Sequence, residues 1–376
     1  MKNQPVVIDL FAGAGGLSLG ASLAGFRVAA AVELDAHAVA THAFNFPNSI
    51  HANLDIASLT GQKLLEIASL KKGELDGLIG GPPCQGFSTI GQRNADDIRN
   101  DLFGHFFRLV SECRPRFFVA ENVPGIMDSR YDEIRRKAFK KIAKHYCFYD
   151  PILVKASEYG APTTRTRYFF IGYDRSRFLR PPSPIDFLPT SGVTATVVSR
   201  ALASLPIEID PRWQSEEDGW QKLSSGKRNA YVCSLAEQIP PGVGNSHAID
   251  RLFSRSQVSG CLGTRHLPEV IARFEALQPG ERDQISKSTR LDGAGFCPTL
   301  RAGTGKEKGS FQAVRPVHHL APRVITPREA ARLQGFPDWF VFHPTKWHSF
   351  RQIGNSVSPI VAKQILFPFA SSEYDL

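Results

Sequence analysis

The chain has 376 residues, room for two domains or for one large domain with an insertion. Its 42% hydrophobic and 22% charged residues suit a soluble globular protein, and no apolar run approaches the roughly 18 to 20 residues of a membrane span. The net charge of +9 favours polyanionic partners, and residues 175–322, with 19 Lys+Arg against 14 Asp+Glu, carry +5 of it.

The first predicted strand is PVVIDLF (5–11), followed by a glycine turn and the helical pattern LSLGASLAG. VAAAVEL (28–34) is the second strand and DAHAVATHAFNF the helix after it. Next come strand GLIGG (77–81) and helix LFGHFFRLVSECRP, which stops at a proline. Strand RFFVAEN (116–122), helix YDEIRRKAFKKIAKHY and strand YFFIGY (168–173) complete the series. Continuous β-rich runs alternating with helices predict an α/β fold with a doubly wound, mostly parallel sheet, whose ligands bind at the carboxyl ends of the strands. From about 174 the proline-rich RPPSPIDFLPTSG breaks the pattern, and residues 190–322 mix short apolar pieces with Gly, Ser, Pro and basic residues. This predicts a smaller, loop-rich second domain over 174–322, set into a main domain made of 1–173 and 323–376. After 323, Thr326 is placed to cap a helix through PREAARLQ, with Pro327 first and Glu329 three past the cap. A last helix runs through SPIVAKQILF.

Four groups of residues carry chemistry. DLFAGAGG (9–16) follows a strand, and Gly13 and Gly15 give a tight turn where a ligand can approach the backbone. Ser18 stands where the dinucleotide fingerprint would have its third glycine. Glu33, ending the second strand, can hold ribose hydroxyls, and Asp55 can accept from an adenine amino group. GTGKEKG (303–309) lacks the spacing of a phosphate loop. Cys84 lies in GGPPCQGFS, after two prolines at a strand's carboxyl end, on a polar loop suited to an exposed nucleophile. The other cysteines, Cys113, Cys147, Cys233, Cys261 and Cys297, form no CxxC pair and no zinc-ligand spacing, so free thiols, no metal and a cytosolic chain are expected. The start, MKNQPVVIDL, does not read as a signal peptide. Glu121, in ENV, is an acid just past a buried strand. In TTRTRYFF, Arg165 and Arg167 are two apart on an extended backbone and so share one face, suited to phosphate or a carbonyl oxygen. A thiol, an acid and an arginine pair beside an adenosine-type pocket suit thiolate addition to an electron-poor pyrimidine ring.

The ordered motifs DLFAGAGG, VELD, PPCQGFS, ENV, ASEYGAP with TRTR, REAARLQGFP and QIGNSVSP resemble those of the cytosine-5 DNA methyltransferase family. The resemblance implies a class I methyltransferase domain, with 174–322 as the variable target-recognition domain and duplex DNA in the cleft between them. It further implies that Cys84 attacks cytosine carbon 6, Glu121 donates to ring nitrogen 3, and Arg167, with Arg165 close by, holds the carbonyl oxygen. S-adenosylmethionine would be the methyl donor, held by Phe11, Gly13, Gly15, Glu33, Asp55, Leu102, Asn355 and Val357. Gln85 and Ser88 would belong to a DNA-contacting catalytic loop. Within 288–309, Arg290 and Arg301 are candidates for guanine edges, and Lys306 and Lys308 for phosphates. Two positions depart from the family's habit: Leu34 follows Glu33 where an aromatic is common, and Thr163 precedes the arginines where glutamine is common. A monomer in the bacterial cytoplasm is expected, with a restriction endonuclease at the same DNA site as a possible partner. Three rival readings are an RNA enzyme of the same chemistry, a silent DNA-binding protein, and a nicotinamide oxidoreductase read from the glycine turn alone.

Overall fold

The apolar runs of the first half form one eight-stranded sheet. A computed structural model describes residues 4–83, 101–178, 180–215, 217, 219–224, 229–303 and 313–371. In chain order the first elements are β1 (Val6–Leu10), α1 (Gly16–Leu23), β2 (Arg27–Val32), α2 (Ala36–Asn45), β3 (Ile50–Ala52), α3 (Gly61–Ile67) and β4 (Gly77–Gly80). They continue with α4 (Asp101–Cys113), β5 (Phe117–Asn122), α5 (Asp132–Lys140), β6 (Tyr146–Phe148), β7 (Ile152–Lys155) and β8 (Thr166–Asp174). The sheet order is β3-β2-β1-β4-β5-β8-β6, with β7 also paired to β8. Strands β1 to β5 run parallel, so the direction of winding reverses between β1 and β4.

Besides the short strand β3, the sequence pattern leaves three features unread. Strand β8 runs antiparallel to β5, β6 and β7 are short antiparallel partners of β8, and α3 lies between β3 and β4. Both faces of the sheet are covered, as continuous apolar strands require. On one face Phe103, Phe106 and Phe107 of α4 pack on Phe118 of β5, with the Phe107 and Phe118 rings edge to face at 5.3 Å.

The second half contains α6 (Val198–Ala201), β9 (Gln221–Lys222), α7 (Ala230–Glu237), α8 (Ser246–Arg255), β10 (Gln257–Val258) and α9 (Pro268–Ala276). It ends with α10 (Pro327–Gln334), α11 (Lys346–Asn355) and α12 (Pro359–Ser371). The expected cap of α10 is present: the Thr326 hydroxyl accepts from the Glu329 amide at 3.2 Å, and the Glu329 carboxylate accepts from the Thr326 amide at 2.7 Å. A core of Val198, Leu252, Cys297, Leu333, Trp339 and Phe340 joins residues on both sides of position 322, and Leu19 and Phe46 of the first half complete it. Helix α12 covers the remaining sheet face. Phe369 stacks on Phe117 at 4.2 Å, and Gly20 of α1 lies so close to Ala362 that a β-carbon there would collide.

Candidate active site

The direction of β8 assembles the site. Its register sets Glu121 opposite Phe169 and Asn122 opposite Tyr168, so the start of β8 meets the carboxyl end of β5. In a parallel β8 the two arginines would sit at the opposite edge of the sheet. Glu121 is 8% exposed, and Arg167 Nε lies 2.7 Å from its Oε1. The segment after β4 passes over the acid: a β-carbon at Gly81 would lie 3.3 Å from Glu121 Oε2. Asn122 Nδ2 donates to the Pro82 carbonyl at 3.4 Å. The proline mount is therefore tied to the acid's strand. Cys84, Gln85 and Ser88 lie outside the described residues.

Arg165 does not join Arg167 at the acid. Although the two leave the same side of an extended backbone, the Arg165 guanidinium turns into the protein. Nη1 donates to the carbonyls of Gly354 at 2.9 Å and Leu300 at 3.4 Å, and Nη2 to that of Asn355 at 3.5 Å. Burial first, then the Arg167 charge, pulls its pKa down to about 9. The expectation of a substrate-facing arginine pair is corrected: Arg167 faces the acid, and Arg165 is held by backbone carbonyls because the end of α11 offers them at the back of β8.

At the carboxyl end of β1 the backbone makes the predicted turn. Phe11, Gly13 and Gly15 all have left-handed φ, at 58°, 55° and 105°. A β-carbon at Gly13 would meet nothing within 4 Å, so this turn faces open space. The Glu33 carboxylate accepts from the Gly13 amide at 2.9 Å and the Asp35 amide at 2.8 Å, bracing the turn from the end of β2. Asp55 is exposed and accepts from the Ala57 amide at 2.9 Å, capping a short turn after β3. Asn53, which the sequence did not single out, donates to the carbonyls of Glu33 at 3.0 Å and Leu34 at 2.8 Å, joining the two loops. Leu34 is 67% exposed, an apolar surface at the lip of the turn. Leu102 is half-buried in the first turn of α4. The C-terminal motif closes on the same place: a β-carbon at Gly16 would collide with the Val357 carbonyl, and Asn355 is exposed at the end of α11. An open glycine turn, a braced carboxylate and an exposed leucine fit a ligand with hydroxyls and a flat apolar ring.

Beneath the turn lies a polar chain that the sequence reading passed over. Ser18 Oγ donates to Asp9 Oδ2 at 2.7 Å, His42 Nε2 is 2.9 Å from Ser18 Oγ, and His51 Nε2 is 2.9 Å from His42 Nδ1. Asp9 is fully buried, and burial pushes its pKa up to about 7. Burial holds His42 neutral. The serine in place of a third glycine thus hydrogen-bonds one oxygen of Asp9, whose Oδ1 is buried without a partner. Elsewhere, His37, His343 and His348 bring three possible ligand atoms within 4.8 Å of one another. There the Thr345 amide donates to His343 Nδ1 at 3.1 Å, so Nε2 carries the proton and donates to His37 Nδ1 at 3.1 Å.

Of the expected DNA readers, Arg290 is placed differently. Its Nη1 donates to the carbonyls of Phe274, Glu275 and Leu277 at 3.0–3.2 Å, closing the carboxyl end of α9, and Nη2 to that of His319 at 3.4 Å. A guanidinium so engaged has few donors left for a base edge. Arg301 is exposed, and its backbone packs on α11, where a β-carbon at Gly354 would lie 2.6 Å from the Arg301 carbonyl carbon. Lys306 and Lys308 lie outside the described residues.

Residues 6–367 match the model of the C-5 cytosine-specific DNA methylase family. The type II methyltransferase M.XorII of Xanthomonas oryzae is 39% identical over 96% of this chain and 84% of its own length. M.DdeI of Desulfomicrobium norvegicum is 30% identical over 96% and 87%. Among solved structures, one described as a DNA modification methyltransferase encoded within an E. coli prophage is 52% identical. It superposes with a TM-score of 0.87 over 97% of this chain and 98% of that one. Dnmt2 of S. pombe, 16% identical with a TM-score of 0.61, shares the fold. The chain belongs to the C-5 cytosine-specific DNA methylase family and is a DNA (cytosine-5-)-methyltransferase.

Proposed function

We propose that this enzyme methylates one cytosine of a specific duplex site through a covalent adduct of Cys84, with S-adenosylmethionine as donor. The observation that carries the reading is the ion pair of buried Glu121 with half-buried Arg167 at 2.7 Å, beneath the proline mount of Cys84. Cytosine carbon 5 is too weak a nucleophile unaided, so the base must first be activated. The Cys84 sulfur adds to carbon 6 while Glu121 donates a proton to nitrogen 3, which leaves carbon 5 electron-rich. Arg167 holds the carbonyl oxygen and keeps the ring over the acid. Once carbon 5 carries the methyl group, elimination removes the carbon 5 proton to a base and breaks the carbon–sulfur bond, which frees the thiolate, while the nitrogen 3 proton returns to Glu121. The base reaches Cys84 by leaving the stack, at a cost of a few kcal/mol.

When bound, S-adenosylmethionine supplies an electrophilic methyl group. Phe11, Gly13 and Gly15 would line its methionine side, Glu33 its ribose, Asp55 and Leu102 its adenine, and Asn355 and Val357 would close the pocket. Residues 174–322 serve as the recognition region, with Arg301 at a base edge and Lys306 and Lys308 on phosphates, and Gln85 and Ser88 contact DNA from the Cys84 loop. The likeness to type II methyltransferases supports a role in protecting DNA from an endonuclease at the same site, and in this reading the enzyme works as a monomer in the bacterial cytoplasm. No helix among the described residues is long and apolar enough to cross a membrane.

The test is a trapping experiment with a duplex carrying 5-fluorocytosine at the methylated position, a position found by bisulfite sequencing of DNA from cells expressing the chain. Carbon 5 then has no proton to lose, so the adduct should persist, and peptide mass spectrometry should place the oligonucleotide on Cys84. A DNA-methylating enzyme that yields no adduct, or an adduct on another side chain, refutes the route.

A further inference from the structure

Arg165 is a buried cation, 4% exposed, and every hydrogen bond described for its guanidinium goes to a backbone carbonyl. Those carbonyls come from two distant stretches. Gly354 and Asn355 are the last residues of α11, whose carboxyl end carries the negative pole of the helix. Leu300 immediately precedes Arg301, the exposed candidate reader. The same two stretches touch directly, since Gly354 has room only for a hydrogen against the Arg301 carbonyl carbon and the Ala302 amide. At its other end Arg165 is two residues from Arg167, which holds Glu121 at 2.7 Å. Its Nε is buried without a hydrogen-bond partner, so the guanidinium position depends on these carbonyls. If segment 300–303 moved, Arg165 would lose one of its anchors, and the start of β8, with Arg167, would lose its support.

We propose that Arg165 is a positioning residue that couples the seating of segment 300–303 on DNA to the placement of Arg167 and Glu121, so that reading the site and activating the base are linked. The inference rests on the proposed reader role of Arg301. Lysine at 165 presents a single ammonium in place of a planar fork and can hold only part of the carbonyl set.

Methyl transfer by the enzyme is measured over a range of S-adenosylmethionine and DNA concentrations, on the cognate duplex and on duplexes with one base pair changed in the site. Arg165→Gln should lower kcat on the cognate duplex by about 100-fold. The KM for S-adenosylmethionine should stay within about threefold, and the preference for the cognate site should fall by about tenfold, consistent with a coupling of ordinary size. Arg165→Lys should recover part of both losses. Gly354→Ala pushes on the same junction with Arg165 intact and should lower the preference in the same way, with thermal melts confirming that each variant is folded. The double variant should be no worse than the poorer single one. A folded Arg165→Gln enzyme with wild-type preference overturns the coupling, whatever its kcat. Arg301→Ala separates the two readings: unchanged preference in that variant removes the reader assignment and the coupling with it. Lost preference in Arg301→Ala beside an unaltered Arg165→Gln removes the coupling alone.

Discussion

The sheet half, residues 4–178, and the half from 180 to 353 are ordered by different means. In the first, strands β1 to β5 are held by a continuous ladder of backbone hydrogen bonds and covered by apolar helices. In the second, the only strand pair among the described residues is two residues long, and buried side chains reach across the chain to satisfy backbone groups. Arg328 donates to the Ser259 carbonyl at 2.8 Å and the Phe340 carbonyl at 2.7 Å, and Arg332 holds both oxygens of Asp338 at 2.7 and 2.8 Å. Arg323 does the same for Glu329 at 2.8 and 3.0 Å. Strands β1 to β5 can therefore lose a site side chain and keep their frame, whereas the other half, like the start of β8 at Arg165, uses charged groups as its frame.

The sharpest way to test this contrast is to damage each half at one buried charge. Glu121→Gln removes the proposed proton donor from a strand end that the ladder holds in place. It should lower kcat by about 10²–10⁴-fold with little change in melting temperature. A large stability loss there would break the comparison. Arg332→Leu takes the bidentate partner from buried Asp338 and should destabilise the enzyme by about 3–5 kcal/mol, read by urea unfolding. Replacing Arg332 and Asp338 together with leucine should restore most of that loss, and failure to do so would show that the charges contribute more than mutual compensation. The smallest effect concerns Asp9. Folding favours its protonated form, because its pKa rises from 3.8 to about 7. Its contribution to stability is therefore fully present below about pH 4 and is lost as pH rises through 7. Asp9→Asn keeps an acceptor for Ser18, and should flatten stability between pH 4 and 8 by at most about 4 kcal/mol. An unchanged pH slope in that variant would assign the titration to another group.

The same division decides what the sequence reveals. Strands β1, β2, β4, β5 and β8 are legible because buried strands of four to nine residues are continuous apolar runs, and α10 because Thr326, Pro327 and Glu329 write its cap locally. Strand direction is not written locally, so the antiparallel course of β8 is invisible, as are β6 and β7, which are only partly buried and so lack a continuous apolar run. Glu33 and the glycine turn stand where their motifs put them. Arg165 and Arg290 look in sequence like any exposed polar arginine. Their roles are set by carbonyls on α11 and α9 that no spacing rule brings together. Ser18 looked like a missing glycine because its partner His42 lies a strand and a helix away.

The close seating of α1 on α12 has a consequence for synthesis. Gly16 and Gly20 wait for Val357 and Ala362, which are translated more than 300 residues later. While the polypeptide is still emerging from the ribosome, its open glycine turn lacks the wall that completes it. The glycine turn therefore gains its wall only with the C-terminal segment, and a prematurely terminated product would display an unwalled turn on an otherwise well-formed sheet.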